Sequence, residues 1–205
     1  ENGLGRMLEP EQLQQTLQGF FEPKWLDGKK VLITAGPTYE AIDAVRGIIN
    51  LSSGKMGYAI ANAASNAGAA VTLIAGPVHL PNPTVQQFVS VTSAAQMLAA
   101  VKKEVRNCDI FISVAAVADY RPQAYQSQKI KKANQPLTLE LVPNPDILHY
   151  VAHLKKPPFC VGFAAETEKL DQYAQKKRQQ KRLPLIVANL AQQAMGADES
   201  TLILF

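Results

Sequence analysis

Three observations predict an α/β fold. Two short apolar runs rich in β-branched residues, Lys30 to Ala35 and Val71 to Ala75, each close in Gly-Pro, at Gly36-Pro37 and Gly76-Pro77. An Ala-rich helical stretch, Met56 to Asn66, lies between them and runs out at Gly68. A further apolar run, Asp109 to Ala116, repeats the strand signal later in the chain. Apolar runs without alternation mark strands buried on both faces, which is how a parallel sheet covered by helices reads. Strand, helix and strand in that order make a βαβ unit. The expected architecture is a Rossmann-like three-layer fold with a mostly parallel sheet and an antiparallel flap or dimerisation arm.

In chain order, Glu1 to Gly28 is polar, Gln-rich and interrupted by Pro10 and Pro23, with a helix expected over Glu11 to Phe20. It reads as a linker from an upstream domain. The βαβ unit follows, then a loop holding Pro77, Pro81 and Pro83, a strand near Phe88 to Val91 and a helix from Ala94 to Arg106. Tyr120 to Val142 breaks this rhythm. Pro122, several Gln residues and Lys129-Ile130-Lys131-Lys132 lead into the alternating Leu137-Thr138-Leu139-Glu140-Leu141, the signature of a half-exposed antiparallel arm. Pro143 and Pro145 frame a helix start at Asn144 or Asp146. A strand at Phe159 to Phe163, an amphipathic helix at Glu168 to Arg182 and strands at Leu185 to Ala188 and Thr201 to Phe205 restore α/β order.

Composition narrows the partners. With 205 residues, 47% of them hydrophobic, the chain can bury one substantial core. A net charge of +4 is too mild to argue for nucleic acid and suits a small anionic ligand. The positive charge falls in two clusters, Lys129, Lys131 and Lys132, and Lys176, Lys177, Arg178, Lys181 and Arg182. Cys108 and Cys160 lack CxxC spacing and read as small core residues in a reducing cytoplasm. No leader and no apolar run of about 18 residues is present, so neither export nor a membrane span is expected. His79, His149 and His153 have no metal-ligand spacing.

The chemistry concentrates at Ser52-Ser53-Gly54-Lys55-Met56-Gly57, where small residues precede a helix. Backbone N–H groups at a helix start receive anions. A P-loop is excluded, because Met56 follows Gly54-Lys55 and the earlier glycine is missing. The dinucleotide fingerprint also fails: the connection is long, and the second strand ends in Ala75-Gly76 with no acidic residue. An NAD-type oxidoreductase is therefore disfavoured, and a non-catalytic nucleotide-binding module stays open as an alternative to an enzyme.

Gly36-Pro37-Thr38, Arg46, Asn50, Ser52 to Gly57, Ala115 to Tyr120, Lys129 to Lys132, Asn144-Pro145-Asp146-Ile147 and Val161 to Thr167 occur together in this order. Over Lys30 to Phe205 the set resembles phosphopantothenate-cysteine ligase, the C-terminal half of a bacterial bifunctional enzyme of coenzyme A biosynthesis. Gly5 to Pro10 resembles the tail of its flavin-dependent decarboxylase half, the part that holds FMN. The resemblance implies that residues 1–28 are a linker and residues 29–205 a CTP-binding ligase domain shortened at its C-terminus. It implies a cytoplasmic homodimer that joins 4'-phosphopantothenate to L-cysteine through an acyl-cytidylate, with CTP and Mg²⁺.

It also assigns roles. Gly36, Ser52, Gly54 and Gly57 match positions that hold the triphosphate. Asn50 matches a contact to phosphopantothenate, where its neutral amide would donate to a developing oxyanion. Arg46 matches an arginine for the phosphopantothenate phosphate of the neighbouring subunit, and Lys131 the lysine of a mobile flap. Ala115 and Ala116 match backbone contacts to substrate and nucleotide, and Asp119 a polar or cation-linked contact, the place for the metal. Asp146, Ile147, Leu148, His149 and Phe163 match the base and ribose pocket, Lys177 and Lys181 triphosphate-binding lysines, and Asn189 a nucleotide-binding amide. The chain departs from the pattern at Leu51, where His or Phe is usual, and at Gly47-Ile48, which replaces larger residues.

Overall fold

The computed structural model describes residues 7, 9–21, 23–132, 134–166, 168–190 and 201–205. Seven strands form one sheet, β1 (Lys30–Ala35), β4 (Ala70–Ala75), β5 (Gln87–Ser90), β6 (Ile110–Ser113), β9 (Phe159–Glu166), β10 (Leu185–Leu190) and β11 (Ile203–Leu204). Their spatial order is β11-β10-β9-β6-β1-β4-β5. Every pairing is parallel except β10 with β11 at the edge. The remaining strands form two small antiparallel pairs, β2 (Tyr39–Ala41) with β3 (Gly47–Ile49), and β7 (Tyr120–Pro122) with β8 (Leu141–Pro143).

Side-chain alternation along β1 divides the core in two. Val31, Ile33 and Ala35 join Val71, Leu73 and Ala75 beneath helix α2 (Lys55–Asn66), which contributes Tyr58, Ala61 and Ala64. Leu32, Ile74 and Phe111 point to the opposite face. There they meet helices α3 (Ala94–Glu104), α4 (Ile147–Ala152) and α5 (Leu170–Lys181) through Met97, Val101, Val151 and Ala174. Both faces of the strands are covered, as their unbroken apolar runs require. Helix α1 (Pro10–Phe21) precedes the sheet.

The expected elements are present with shifted ends. The helix expected to Arg106 finishes at Glu104 in a 3₁₀ turn over Val105–Asn107, and the strand expected to Ala116 leaves the sheet after Ser113. Residues 114–119 line a cavity there, and Ala116 stays bridged to the segment that follows β1. The arm is less regular than its alternation suggests. Only Leu141–Pro143 pairs with a strand, and Leu137 and Leu139 are exposed outside it. The β2–β3 hairpin gives no sequence signal, since three residues per strand are too few to show a period.

Helix α2 lies close on β1 because Gly57 faces Ala35. A Cβ at position 57 would sit 2.5 Å from the Ala35 Cβ, closer than carbon atoms pack. Gly57→Ala is expected to lower stability by about 1–3 kcal/mol, read from the urea midpoint; an unchanged midpoint would mean that α2 rides freely on the sheet.

Candidate active site

The chain runs from β1 to β4 and β5 on one side, then crosses to β6, β9 and β10 on the other. The connections after β1 and β6 lead to helices on opposite faces of the sheet, α2 and α4, and a crevice opens at this switch point. A cavity of about 710 Å³ occupies it. Its wall includes Gly36 after β1, Ser113 to Asp119 after β6, Phe163 and Ala165 of β9, Asn189 of β10 and residues 50–57 before and within α2.

Gly54 sets the start of α2. Its φ of +77° is left-handed backbone, which glycine adopts without cost and which turns the chain sharply into the helix. No side chain caps the helix and its first turn has no acidic residue. Ser52 and Ser53 hydroxyls accept from the Gly54 and Lys55 amides only at 3.4 Å, the long limit of a hydrogen bond. The positive end of the helix dipole thus faces the cavity with weakly engaged donors, as an anion would need.

The opposite wall is stitched in place. Asn50 Nδ2 donates to the Ala116 and Val117 carbonyls, each at 3.2 Å. Ala116 N–H donates to Gly36 at 2.9 Å, and Ala118 N–H to Thr38 Oγ1 at 2.9 Å. Asn144 Nδ2 donates to Ala118 at 2.9 Å, while its backbone N–H donates to Asp119 at 2.7 Å. The Asn50 amide donors are thus directed at main-chain carbonyls, whereas the sequence reading aimed them at a substrate oxyanion. These two bonds tie Asn50 to the wall. Thr38 and Asn144 acquire no specific role from sequence alone; their signal is turn chemistry, a hydroxyl after Gly-Pro and an Asn before Pro145.

Charge enters from α4 and α5. Asp146 caps α4 by accepting from His149 N–H at 2.9 Å, and Lys181 Nζ lies 2.9 Å from its Oδ2. Burial alone would raise the Asp146 pKa, but the His149 N–H bond and the Lys181 ammonium reverse this and hold it below the ordinary carboxylate value. Lys177 Nζ donates to the Phe163 carbonyl at 2.8 Å. The i,i+4 spacing of the two lysines brings both to the cavity.

Of the residues singled out from sequence, Gly36, Asn50, Ser52, Gly54, Gly57, Ala115, Ala116, Asp119, Asp146, Ile147, Leu148, Phe163, Lys177, Lys181 and Asn189 line this cavity. Arg46, Lys131 and His149 do not. His149 stacks on His153 with ring centroids 3.9 Å apart, and Arg46 is paired with Asp43. Cys108 and Cys160 are free thiols, each pushed up to about 11 by burial, and so stay protonated at neutral pH. Among the described residues, no three His, Cys, Asp or Glu side chains are grouped to hold a metal, and no helix is long and apolar enough to cross a membrane.

Because the Asp146 pKa is lower folded than unfolded, its stabilisation is full above the unfolded value, near 3.9, and fades as pH falls through the folded value. The Tm gap between the wild type and Asp146→Asn, which keeps a capping oxygen, is expected to be small at pH 7 and to close in acid. A gap constant down to pH 2 would remove the Lys181 pair as its source.

The fold and cavity define the class, a Rossmann-like α/β domain with a crevice at the sheet's switch point. Residues 26–205 match the DNA/pantothenate metabolism flavoprotein C-terminal domain, and the chain belongs to that family. This bears out the resemblance read from the motifs. The chain is 53% identical, over 99% of its length, to the coenzyme A biosynthesis bifunctional protein CoaBC of Vibrio cholerae, and 47% identical over 99% to that of Escherichia coli. It spans about half of these relatives, 52% of each. Among solved structures, the C-terminal domain of a CoaBC protein superposes with a TM-score of 0.74 at 42% identity, covering 89% of this chain and 88% of that one. A Cab2 mutant in complex with phosphopantothenate-cysteine superposes at 0.72, covering 95% of this chain and 79% of that one; at 18% identity this speaks to the fold alone.

Proposed function

We propose that this domain is a phosphopantothenate-cysteine ligase that uses CTP. The observation that carries the reading is the cavity at the switch point, which combines the uncapped α2 start with Lys177 and Lys181 in a chain that belongs to the flavoprotein C-terminal domain family. The carboxylate of 4'-phosphopantothenate attacks the α-phosphorus of CTP; a P–O bond forms and pyrophosphate leaves. The amine of L-cysteine then attacks the acyl carbon, the C–O bond to CMP breaks, and the ammonium proton is lost as the amide forms.

Each part of the wall suits one demand of that sequence. The triphosphate would lie against Gly36, Ser52, Gly54 and Gly57, with Lys177 and Lys181 neutralising charge that the low-dielectric cavity cannot solvate. Phe163, Ile147 and Leu148 give the base an apolar bed, and Asn189 and the Ala115-Ala116 backbone give it polar contacts. Mg²⁺ is commonly held by one or two carboxylates plus substrate phosphates, so Asp119 in the wall fits that ion, which would neutralise the phosphates. Lys131 would close over the intermediate from a flap, and Arg46 would take the phosphopantothenate phosphate across a dimer. The exposed Tyr120, Tyr125, Leu137, Leu139 and Leu141 favour such a homodimer through the arm.

The chain mixed with 4'-phosphopantothenate, Mg²⁺ and CTP is expected to release pyrophosphate, and to give the amide product by mass spectrometry once L-cysteine is added. ATP and NAD in place of CTP are expected to fail. A chain that binds CTP yet releases no pyrophosphate would favour a non-catalytic nucleotide-binding module.

Two substitutions separate the roles. Lys131→Gln is expected to cut product formation about 100-fold, some 2.7 kcal/mol of barrier, with CTP affinity little changed. Asn50→Asp would set a carboxylate against the Ala116 and Val117 carbonyls in place of two donors. We expect kcat to fall at least about tenfold, and an unchanged kcat would mean that this wall need not be held.

A further inference from the structure

We infer that Asp43 is a positioning residue that fixes the Arg46 guanidinium and the backbone at Ile130, between Lys129 and Lys131, as one unit for receiving the phosphorylated substrate. The inference rests on the ligase reading above, and on a side chain that reading does not use. Asp43 lies in the turn between β2 and β3, and its carboxylate is wholly buried, with 0% side-chain exposure. Such a charge is tolerated only when its oxygens are satisfied. They are: Oδ1 accepts from the Val45 and Arg46 backbone N–H groups at 2.9 and 2.8 Å. Oδ2 accepts from Arg46 Nε at 3.1 Å, Arg46 Nη2 at 2.5 Å and the Ile130 N–H at 3.0 Å. Arg46 Nη2 also donates to the Ile130 carbonyl at 3.0 Å.

The consequence is a clamp across 87 residues of chain. Both backbone polar groups of Ile130 are held by the hairpin, and the neighbouring Gln126 N–H donates to Ile42 at 3.1 Å. Lys129, Lys131 and Lys132 flank this anchored point and are exposed. Arg46 keeps 45% of its side chain exposed, and Nη1 makes no bond within the clamp, so one edge of the fork stays open to an anion. A turn aspartate with only a local duty would need the two Oδ1 bonds alone, because the hairpin backbone closes itself through Ile42 and Asp43 N–H groups donating to Arg46. The Oδ2 bonds instead tie two cationic elements into one surface. Fixing them before binding removes an ordering cost that substrate binding would otherwise carry.

The test uses Asp43→Asn in the full chain, read two ways. Amide hydrogen exchange over residues 126–132 needs no substrate, and we expect it to quicken at least about tenfold in the variant. In the ligase assay we expect KM for 4'-phosphopantothenate to rise at least about tenfold while CTP affinity stays within about twofold. Asp43→Asn combined with Arg46→Gln is expected to raise KM no further than Arg46→Gln alone, since the two act as a unit. A folded variant with wild-type exchange over 126–132 overturns the clamp, and faster exchange with an unchanged KM overturns its part in binding. If Asp43→Asn does not fold, Arg46→Lys, which keeps the charge but loses the fork to Ile130, must quicken the same exchange, and the clamp falls if it does not. A wild type without ligase activity sinks the ligase reading and the binding role with it, while exchange still decides whether Asp43 pins the segment.

Discussion

The pairing of β1 with β4 on one side and β6 on the other is the constraint on which the site depends. In-register ladders run from Lys30 opposite Ala70 to Ala35 opposite Ala75, and from Val31 opposite Ile110 to Thr34 opposite Ser113. Since all three strands run parallel, their carboxyl ends share one edge of the sheet. The chain leaves β1 toward α2 on one face and leaves β6 toward α4 on the other, while Gly36 and Pro37 stay bridged to Ala116 at that edge. The crevice is a product of topology, and its chemistry is added by whatever residues these connections carry.

Those loops would be poor walls if they moved. Connections on a surface are ordinarily mobile, and a site for a large polyanion gains from donors already in place. Here rigidity comes from side-chain amides and one hydroxyl. Asn50, Asn144 and Thr38 bond the main chain of residues 116–118, each at 2.9–3.2 Å. Neutral groups suit this task, because an added carboxylate would work against the anion proposed to meet the α2 start and the α5 lysines. Lys181 shows the complementary solution. Pairing with Asp146 holds the ammonium at the cavity edge at 23% side-chain exposure, where an unpaired charge would be less well compensated.

Most of the main sheet was legible because buried parallel strands are nearly unbroken apolar runs, and the Gly-Pro closures mark where β1 and β4 stop. The site's glycines were legible as a helix start, and the family motifs named most of the cavity wall. What escaped had a common cause. The β2–β3 hairpin, Thr38, Asn144 and Asp43 act through partners distant in sequence, 80 residues for Thr38 with Ala118 and 26 for Asn144 with Ala118. No local pattern can carry such a pairing. Asp43 belongs to no motif read from the sequence, and its link to Ile130 exists only once the hairpin and the arm meet. The antiparallel arm was legible, but not how little of it would pair. Its Leu137 to Leu141 alternation is real, but alternation reports a surface suited to being half covered and does not by itself supply the strand beside it.

The positive groups differ in how firmly they are held, and that difference suits a two-anion reaction. Lys177 and Lys181 sit on a full-length helix and bond fixed acceptors, so they belong to the resting cavity. Arg46 is fixed at the hairpin with an edge still open, outside that cavity. Lys131 lies one residue beyond the anchored Ile130, exposed, in a segment without secondary structure. A cation fixed inside a cavity needs no reorganisation when charge develops beside it. In the ligase reading proposed above, Lys131 beside the anchored Ile130 would add its charge by closure, an interaction that raises kcat where it is made only in the transition state. Graded tethering of this kind places binding in the rigid sheet edge and leaves the last positive charge to a short segment anchored at one point.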